Sequence, residues 1–159
     1  MIFITVGSQK FQFNRLLQEI DELIATGTIV DEVFAQTGYC DYEPKNFSFA
    51  KFLSREEFAQ HIKNSDLVIT HGGSGAIIGA LKQGKKVIAV PRLEKFQEHV
   101  DNHQQEIVDE FKDLDLIIGV TDIKQLATSI EEVKTKTFKK YESSTDVILE
   151  KITSFIGGL

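Results

Sequence analysis

Three glycines, a serine and a histidine occupy His71-Gly72-Gly73-Ser74-Gly75, between the apolar run Leu67-Val68-Ile69-Thr70 and the helix-like segment Ala76–Gln83. A strand that turns straight into a helix leaves the first N–H groups of that helix without acceptors. The helix dipole adds partial positive charge at the same point, so the turn suits a bound anion such as a phosphate. Glycine matters because a Cβ would hold a bulky anion away from the backbone. A tight turn with no ligand is the plain alternative, but it needs fewer small residues than this stretch contains.

Two phosphate motifs can be tested on the same stretch. The dinucleotide fingerprint G-x-G-x-x-G requires glycine at position 78, which is Ile78; the next glycine is Gly79. No acidic residue ends the following strand either, since Val87-Ile88-Ala89-Val90 runs into Pro91-Arg92. A nicotinamide dinucleotide is therefore disfavoured. Gly79 to Lys86 (GALKQGKK) comes within one residue of a Walker A loop, with Lys86 where Ser or Thr should hold Mg²⁺. It also leads from a helix into a strand, the reverse of a P-loop. Gly84 reads better as the glycine that closes the helix, with Lys82, Lys85 and Lys86 near the negative helix end.

Other candidates carry less. Asp113-Leu114-Asp115 spells a metal-binding D-x-D, yet it precedes Leu116-Ile117-Ile118 at an expected strand start, where acidic loops are common. His61 lies among Phe58 and Ile62 on a helix and reads as structural or exposed. His71 borders the glycine loop, where it could act as a base or as an oxyanion contact. Arg92, Lys95 and His99 either add positive charge for an anion or lie in a solvated loop. No Cys/His spacing suggests a metal site, and no cofactor is expected.

Positioning these residues requires a scaffold, and the periodicity supplies one. Ile2–Val6, Val33–Thr37, Phe47–Leu53, Leu67–Thr70, Val87–Val90 and Leu114–Ile118 read as strands. Phe13, Leu16, Leu17, Ile20, Leu23 and Ile24 form a helical stripe. Ser54 and Glu57 form an S-x-x-E capping box opening a helix to about Asn64. Further helices are expected from about Val100 to Phe111 and from Asp122 to about Val133. Such alternation predicts an α/β fold, a single Rossmann-like domain with a parallel sheet flanked by helices. Ligands in such sheets bind at the carboxyl ends of the strands, where the glycine loop falls.

Composition agrees. With 159 residues, 42% of them hydrophobic, the chain can bury one good core. A net charge of −6 argues against a nucleic-acid surface. One cysteine, Cys40, cannot form an intrachain disulfide and fits a reducing cytoplasm. Met1–Val6 lacks a basic n-region and is too short for a signal peptide. No segment approaches the ~20 apolar residues that span a bilayer.

DLVITHGGSGAIIGALKQGKKVIAVPR followed by HVDNHQQE resembles the nucleotide-sugar-binding half of a GT-B glycosyltransferase. The match is to the donor subunit of split enzymes: bacterial PssE-type proteins of polysaccharide synthesis and the cytosolic subunit of the eukaryotic dolichol-linked GlcNAc transferase. MurG-type enzymes are similar but fuse both halves. IFITVGSQKFQFNRLLQEID and DEVFAQTGY…YEPKNFSFAKFL also resemble the split subunits.

The resemblance implies that the domain, residues 1–159, equals the C-terminal half of GT-B. It implies that Gly72, Gly73, Ser74 and Gly75 hold a diphosphate, with His71 beside them and Gly7 and Ser8 adding N–H groups. Phe52 and Leu53 sit where relatives meet uracil. Asn102, His103 and Gln104 match the segment that reads sugar hydroxyls, and such groups can both donate and accept. Relatives commonly carry an acidic residue for the ribose where this chain has Gly79; the ribose contact is then lost or supplied by another group, such as Glu98 or Asp101.

A GT-B site lies between two domains, and this chain has room for one. The expectation is a UDP-sugar-binding subunit, inactive alone, of an inverting, metal-independent hexosyltransferase. A β-1,4-galactosyl transfer from UDP-galactose to a lipid-linked acceptor in cell-surface polysaccharide synthesis is the first expectation, before UDP-glucuronate or UDP-GlcNAc. The alternative is a non-catalytic activator or stabiliser of a partner that has lost nucleotide binding. The general base would come from a membrane-associated acceptor-binding subunit, which would recruit this cytoplasmic chain to the membrane. Phe138, Tyr141, Ile148, Ile152, Phe155 and Ile156 recur at helical spacing, predicting an amphipathic helix over 138–156. That face would dock on the partner, pack on the chain's own sheet, or be covered in a homodimer.

Overall fold

The computed structural model describes residues 1–141. Six parallel strands, β1 (Ile2–Thr5), β2 (Val33–Gln36), β3 (Ser48–Ala50), β4 (Leu67–His71), β5 (Lys86–Val90) and β6 (Ile118–Gly119), form one sheet. Their order is β3-β2-β1-β4-β5-β6, with the reversal between β1 and β4. That reversal is the switch point at which doubly wound sheets open a crevice beyond the strand ends.

Five helices cover both faces: α1 (Asn14–Ala25), α2 (Arg55–Asn64), α3 (Ser74–Lys82), α4 (His103–Asp113) and α5 (Leu126–Thr135). The alternation of strand side chains sorts the core into two layers. Ile2, Ile4, Leu67, Ile69, Ile88 and Val90 join Leu16, Leu17 and Ile20 of α1 and Leu126, Ile130 and Val133 of α5. Phe3, Val68, Val87 and Ala89 face Ile62 of α2, Ile77, Ala80 and Leu81 of α3, and Ile107, Val108 and Phe111 of α4. Each fully buried Leu, Ile or Phe removes roughly 1.5–3 kcal/mol worth of apolar surface from water, which fixes every helix to its face.

Helix ends follow local chemistry. Ser54 Oγ accepts from Glu57 N at 3.1 Å while Glu57 Oε1 accepts from Ser54 N at 3.2 Å, completing the capping box of α2. Gly84, at φ +71°, ends α3, with Gly84 N donating to Leu81 O and Lys85 N to Ala80 O. Lysines expected to cap α3 serve other helices. Lys85 Nζ donates to Lys63 O at the end of α2, and Lys86 Nζ donates to Val133 O and Lys134 O in α5.

Several boundaries differ from expectation, among them the third strand, which is Ser48–Ala50 rather than Phe47–Leu53. The fourth helix begins at His103 rather than near Val100, and the last strand is Ile118–Gly119 rather than Leu114–Ile118. Asp113 ends α4 and Asp115 takes φ +59°, so the D-x-D lies in a helix-terminating turn rather than at a strand start. Leu116 and Ile117 are buried without pairing. The expected helix over 138–156 lies mostly outside the described residues; Phe138–Tyr141 are described and are not helical. Among the described residues, no helix is long and apolar enough to cross a membrane.

Candidate functional site

A cleft of about 500 Å³ opens at the carboxyl ends of β1, β2 and β4. Gly7, Ser8, Leu53, His71, Gly73, Gly75 and Gln104 line it, together with Thr5, Gln9, Gln36, Ser54, Arg55, Phe58 and Ala76. Gly73 caps α3 with no side-chain bond. The N–H groups of Gly75 and Ala76 in the first turn therefore meet the cleft without intrahelical acceptors. No carboxylate stands among these lining residues, and Arg55 is their one charged side chain. The wall thus offers donors and positive potential, which is the chemistry of an anion seat.

His71 forms the floor between two glycines. A Cβ on Gly7 would fall 2.6 Å from His71 Nε2, and one on Gly73 would fall 2.2 Å from His71 Cε1. Both positions must be glycine for the ring to lie there, and Gly7 also holds φ +77°. Arg92 Nη1 lies 3.2 Å from His71 Nδ1. A guanidinium only donates, so Nδ1 accepts and the neutral ring carries its proton on Nε2, at the glycine edge. Burial, then the charge of Arg92, pushes the imidazole from its ordinary 6.5 down to about 3. Of the two expected roles of His71, base or oxyanion contact, this geometry suits the second: Nδ1 faces a donor, and the ring is left to donate from Nε2.

Arg92 itself is fully buried, not part of a solvated loop. Its Nη2 donates to Phe11 O at 3.2 Å and its plane lies 5.4 Å from the Phe13 ring centroid. Burial lowers its pKa to about 10, with Cys40 and Glu98 offsetting part, and it stays charged at neutral pH.

Gln104 is buried where it meets the cleft. Its Oε1 accepts from Gly72 N at 3.1 Å and from Arg92 N at 3.0 Å, tying the loop after β4 to the loop after β5. Its Nε2 has no partner among the described residues. Gly72 therefore spends its N–H on Gln104, and Ser74 is buried in the first turn of α3.

The remaining expected residues lie outside the cleft lining. Phe52 is half exposed and meets Tyr39 edge-on at 5.2 Å. Asn102 Oδ1 accepts from Glu94 N, and the residue borders a separate depression with Leu93, Lys95, Gln105 and Thr121. His103 Nδ1 faces Asp101 at 3.3 Å, and Asp101 also approaches His99 Nδ1 at 3.1 Å. Glu98 is not a free substitute for a ribose carboxylate. It is buried, bound to Arg15 Nε at 2.9 Å, and accepts from Leu93 N. His61 is structural, stacked on Phe34 at 4.1 Å and on Phe3 at 5.4 Å. Arg55 and Gln36 were hidden to sequence reading. Arg55 sits inside a capping box and reads only as a helix start, although a cation just past a strand's carboxyl end is a usable signal.

The family described as the glycosyltransferase family 28 C-terminal domain matches residues 1–157. The chain belongs to that family. The UDP-N-acetylglucosamine transferase subunit ALG13 of Kluyveromyces lactis is 32% identical over 90 residues, 56% of this chain and 44% of that protein. The matched part thus spans under half the length of that relative. Among solved structures, ALG13 superposes with TM-score 0.62 at 20% identity, covering 93% of this chain and 94% of that one. MurG of Acinetobacter baumannii gives TM-score 0.57 at 17% identity over 83% of this chain and 41% of that one. These likenesses establish a GT-B-like half for this family 28 domain.

Proposed function

We propose that this chain is the donor-binding subunit of a two-component glycosyltransferase, holding a uridine diphosphate sugar in the cleft between Gly7 and Gly73. The observation that carries the reading is the convergence of the α3 N-terminus and the His71 Nε2–H on one cleft whose lining has no carboxylate. Departure of a nucleoside diphosphate adds one negative charge to those the diphosphate already carries, and fixed N–H donors stabilise it without a metal. No group of the cleft is suited to deprotonate an acceptor hydroxyl: His71 is a donor and no lining residue is a carboxylate. The base then comes from a partner that also carries the acceptor, and transfer is inverting, by direct displacement. The relatives named as UDP-N-acetylglucosamine transferase subunits support a UDP-sugar donor and a subunit role. The hexose is assigned as galactose or N-acetylglucosamine, for a lipid-linked acceptor at the cytoplasmic face of a membrane.

Of the residues expected near the uracil and the sugar, Leu53 and Gln104 line this cleft and are proposed for those roles, with Gln104 contributing through Nε2 alone, whereas Phe52, Asn102 and His103 lie outside the lining. Calorimetry with UDP, UDP-galactose and UDP-N-acetylglucosamine, alone and with the acceptor-binding partner, tests the reading, with Gly73→Val as the binding-dead control. Absence of uridine-nucleotide binding in every arm refutes it. Transferase activity restored in the complex by a His71/Gly73 double variant would instead mark the chain as a non-catalytic activator.

A further inference from the structure

A buried guanidinium without a carboxylate is costly, and the structure retains one behind the cleft. Arg92 is fully enclosed, and the carboxylate that acts on it, Glu98, is taken by Arg15 and by Leu93 N. The nearby thiol of Cys40, pushed up by burial, stays neutral and accepts from Phe13 N at 3.1 Å. The contacts Arg92 does make are to His71 Nδ1, to Phe11 O and to the face of Phe13. A fork spent on an imidazole nitrogen and one carbonyl does little for stability that an apolar side chain could not do.

We propose that Arg92 is a positioning residue of the diphosphate seat: by donating to His71 Nδ1 it fixes the proton on Nε2 and so points an N–H into the gap between Gly7 and Gly73. In free neutral histidine the two tautomers lie close in energy, and a ring with its proton on Nδ1 would turn a lone pair toward the seat. That would convert a donor into a repulsive acceptor for a phosphate oxygen. The charge of Arg92, one ring's width behind, adds attraction for the same anion that a dry interior screens little. The proposal rests on the donor-binding reading only for the identity of the anion. The tautomer lock is a property of the unliganded chain.

The test uses full-length protein with ¹⁵N-labelled histidine. Two-bond ¹H–¹⁵N spectra assign the tautomer of His71, using His71→Gln to identify its signals. Wild type is expected to show a single Nε2–H form at neutral pH. Arg92→Met is expected to give a mixed or reversed tautomer and to bind UDP roughly tenfold more weakly, the size of one charge-assisted bond lost. Arg92→Lys, which retains a donor and a charge, should recover much of both, and it serves if Arg92→Met does not fold. In a His71→Gln background, Arg92→Met should cost clearly less affinity than in wild type. A wild-type proton on Nδ1, or an Arg92→Met protein with unchanged tautomer and unchanged affinity, overturns the proposal. Nε2–H in wild type with no affinity for UDP defeats the donor reading and leaves the lock standing.

Discussion

Two glycine-to-alanine changes two positions apart should have opposite effects on stability. At Gly73 the backbone, φ −83° and ψ 125°, tolerates any residue, so the obstacle is steric alone. The new Cβ would lie 2.2 Å from His71 Cε1, more than 1 Å inside ordinary contact. The ring has little room to retreat, because Gly7 lies against its Nε2 edge and Arg92 holds its Nδ1. Overpacking of this kind costs about 1–3 kcal/mol. At Gly75 a Cβ meets nothing, and alanine in a helix is better than glycine by up to about 1 kcal/mol. Urea unfolding of the two variants should therefore differ by roughly 1–4 kcal/mol, with Gly75→Ala at or above wild type. The same Gly75 methyl stands in the cleft, so calorimetry should show UDP binding weakened about tenfold in the more stable protein. Placing Gly73→Ala on a His71→Ala background should recover over about 1 kcal/mol of its cost. Equal stabilities for the two alanine variants, or an undiminished cost without the imidazole, would refute the steric account of the loop.

The low pKa of His71 makes acid destabilising well above the carboxylate range. Between about 3 and its ordinary 6.5 the unfolded chain binds a proton that the native ring refuses. Stability should therefore be full above that window and fall with decreasing pH inside it, by up to about 1.4 kcal/mol per unit. Urea midpoints from pH 7 to 4.5 check this, and His71→Gln should flatten the slope. Asp21, Asp66 and Asp101 are held below the ordinary carboxylate value, so the stability they contribute is full above that value and is lost only as pH falls below the upper part of the His71 window into the carboxylate range. Asp21 accepts from Tyr42 Oη, Lys45 N and Asn46 N, pinning the segment before β3. Asp21→Ala should cost about 2–4 kcal/mol in denaturant titrations while leaving UDP affinity within about twofold. Gly79 has open space where a Cβ would go. Gly79→Glu should fold normally and, if a ribose contact is missing, tighten UDP binding by about tenfold in calorimetry; unchanged affinity would place the ribose elsewhere.

What the sequence could and could not disclose follows from where each signal resides. β1, β4 and β5 are continuous apolar runs buried on both faces, so their existence was legible. β6 was not, because Leu116 and Ile117 are buried in a turn and burial alone does not distinguish packing from pairing. The glycine loop was legible because its chemistry is local to five residues. The burial of Arg92 was not, since the groups enclosing it come from Phe11, Phe13 and His71, distant in the chain. The segment Asn102–Gln104 shows the same limit. Three adjacent polar residues read alike, yet one points inward to bind two backbone segments while its neighbours remain at the surface.

The inward amide at position 104 limits what could ever replace it. Covalent structure makes one end of the group purely accepting and the other purely donating, and here the accepting end is saturated by Gly72 N and Arg92 N. The hydrogens are thereby forced to the opposite side. A carboxylate of equal shape would hold both chain segments but add a negative charge beside the seat; an ammonium would favour an anion but release the segments. Only a neutral, asymmetric head group does both, so the polarity of this wall is set by one atom exchange between nitrogen and oxygen, with no change in volume.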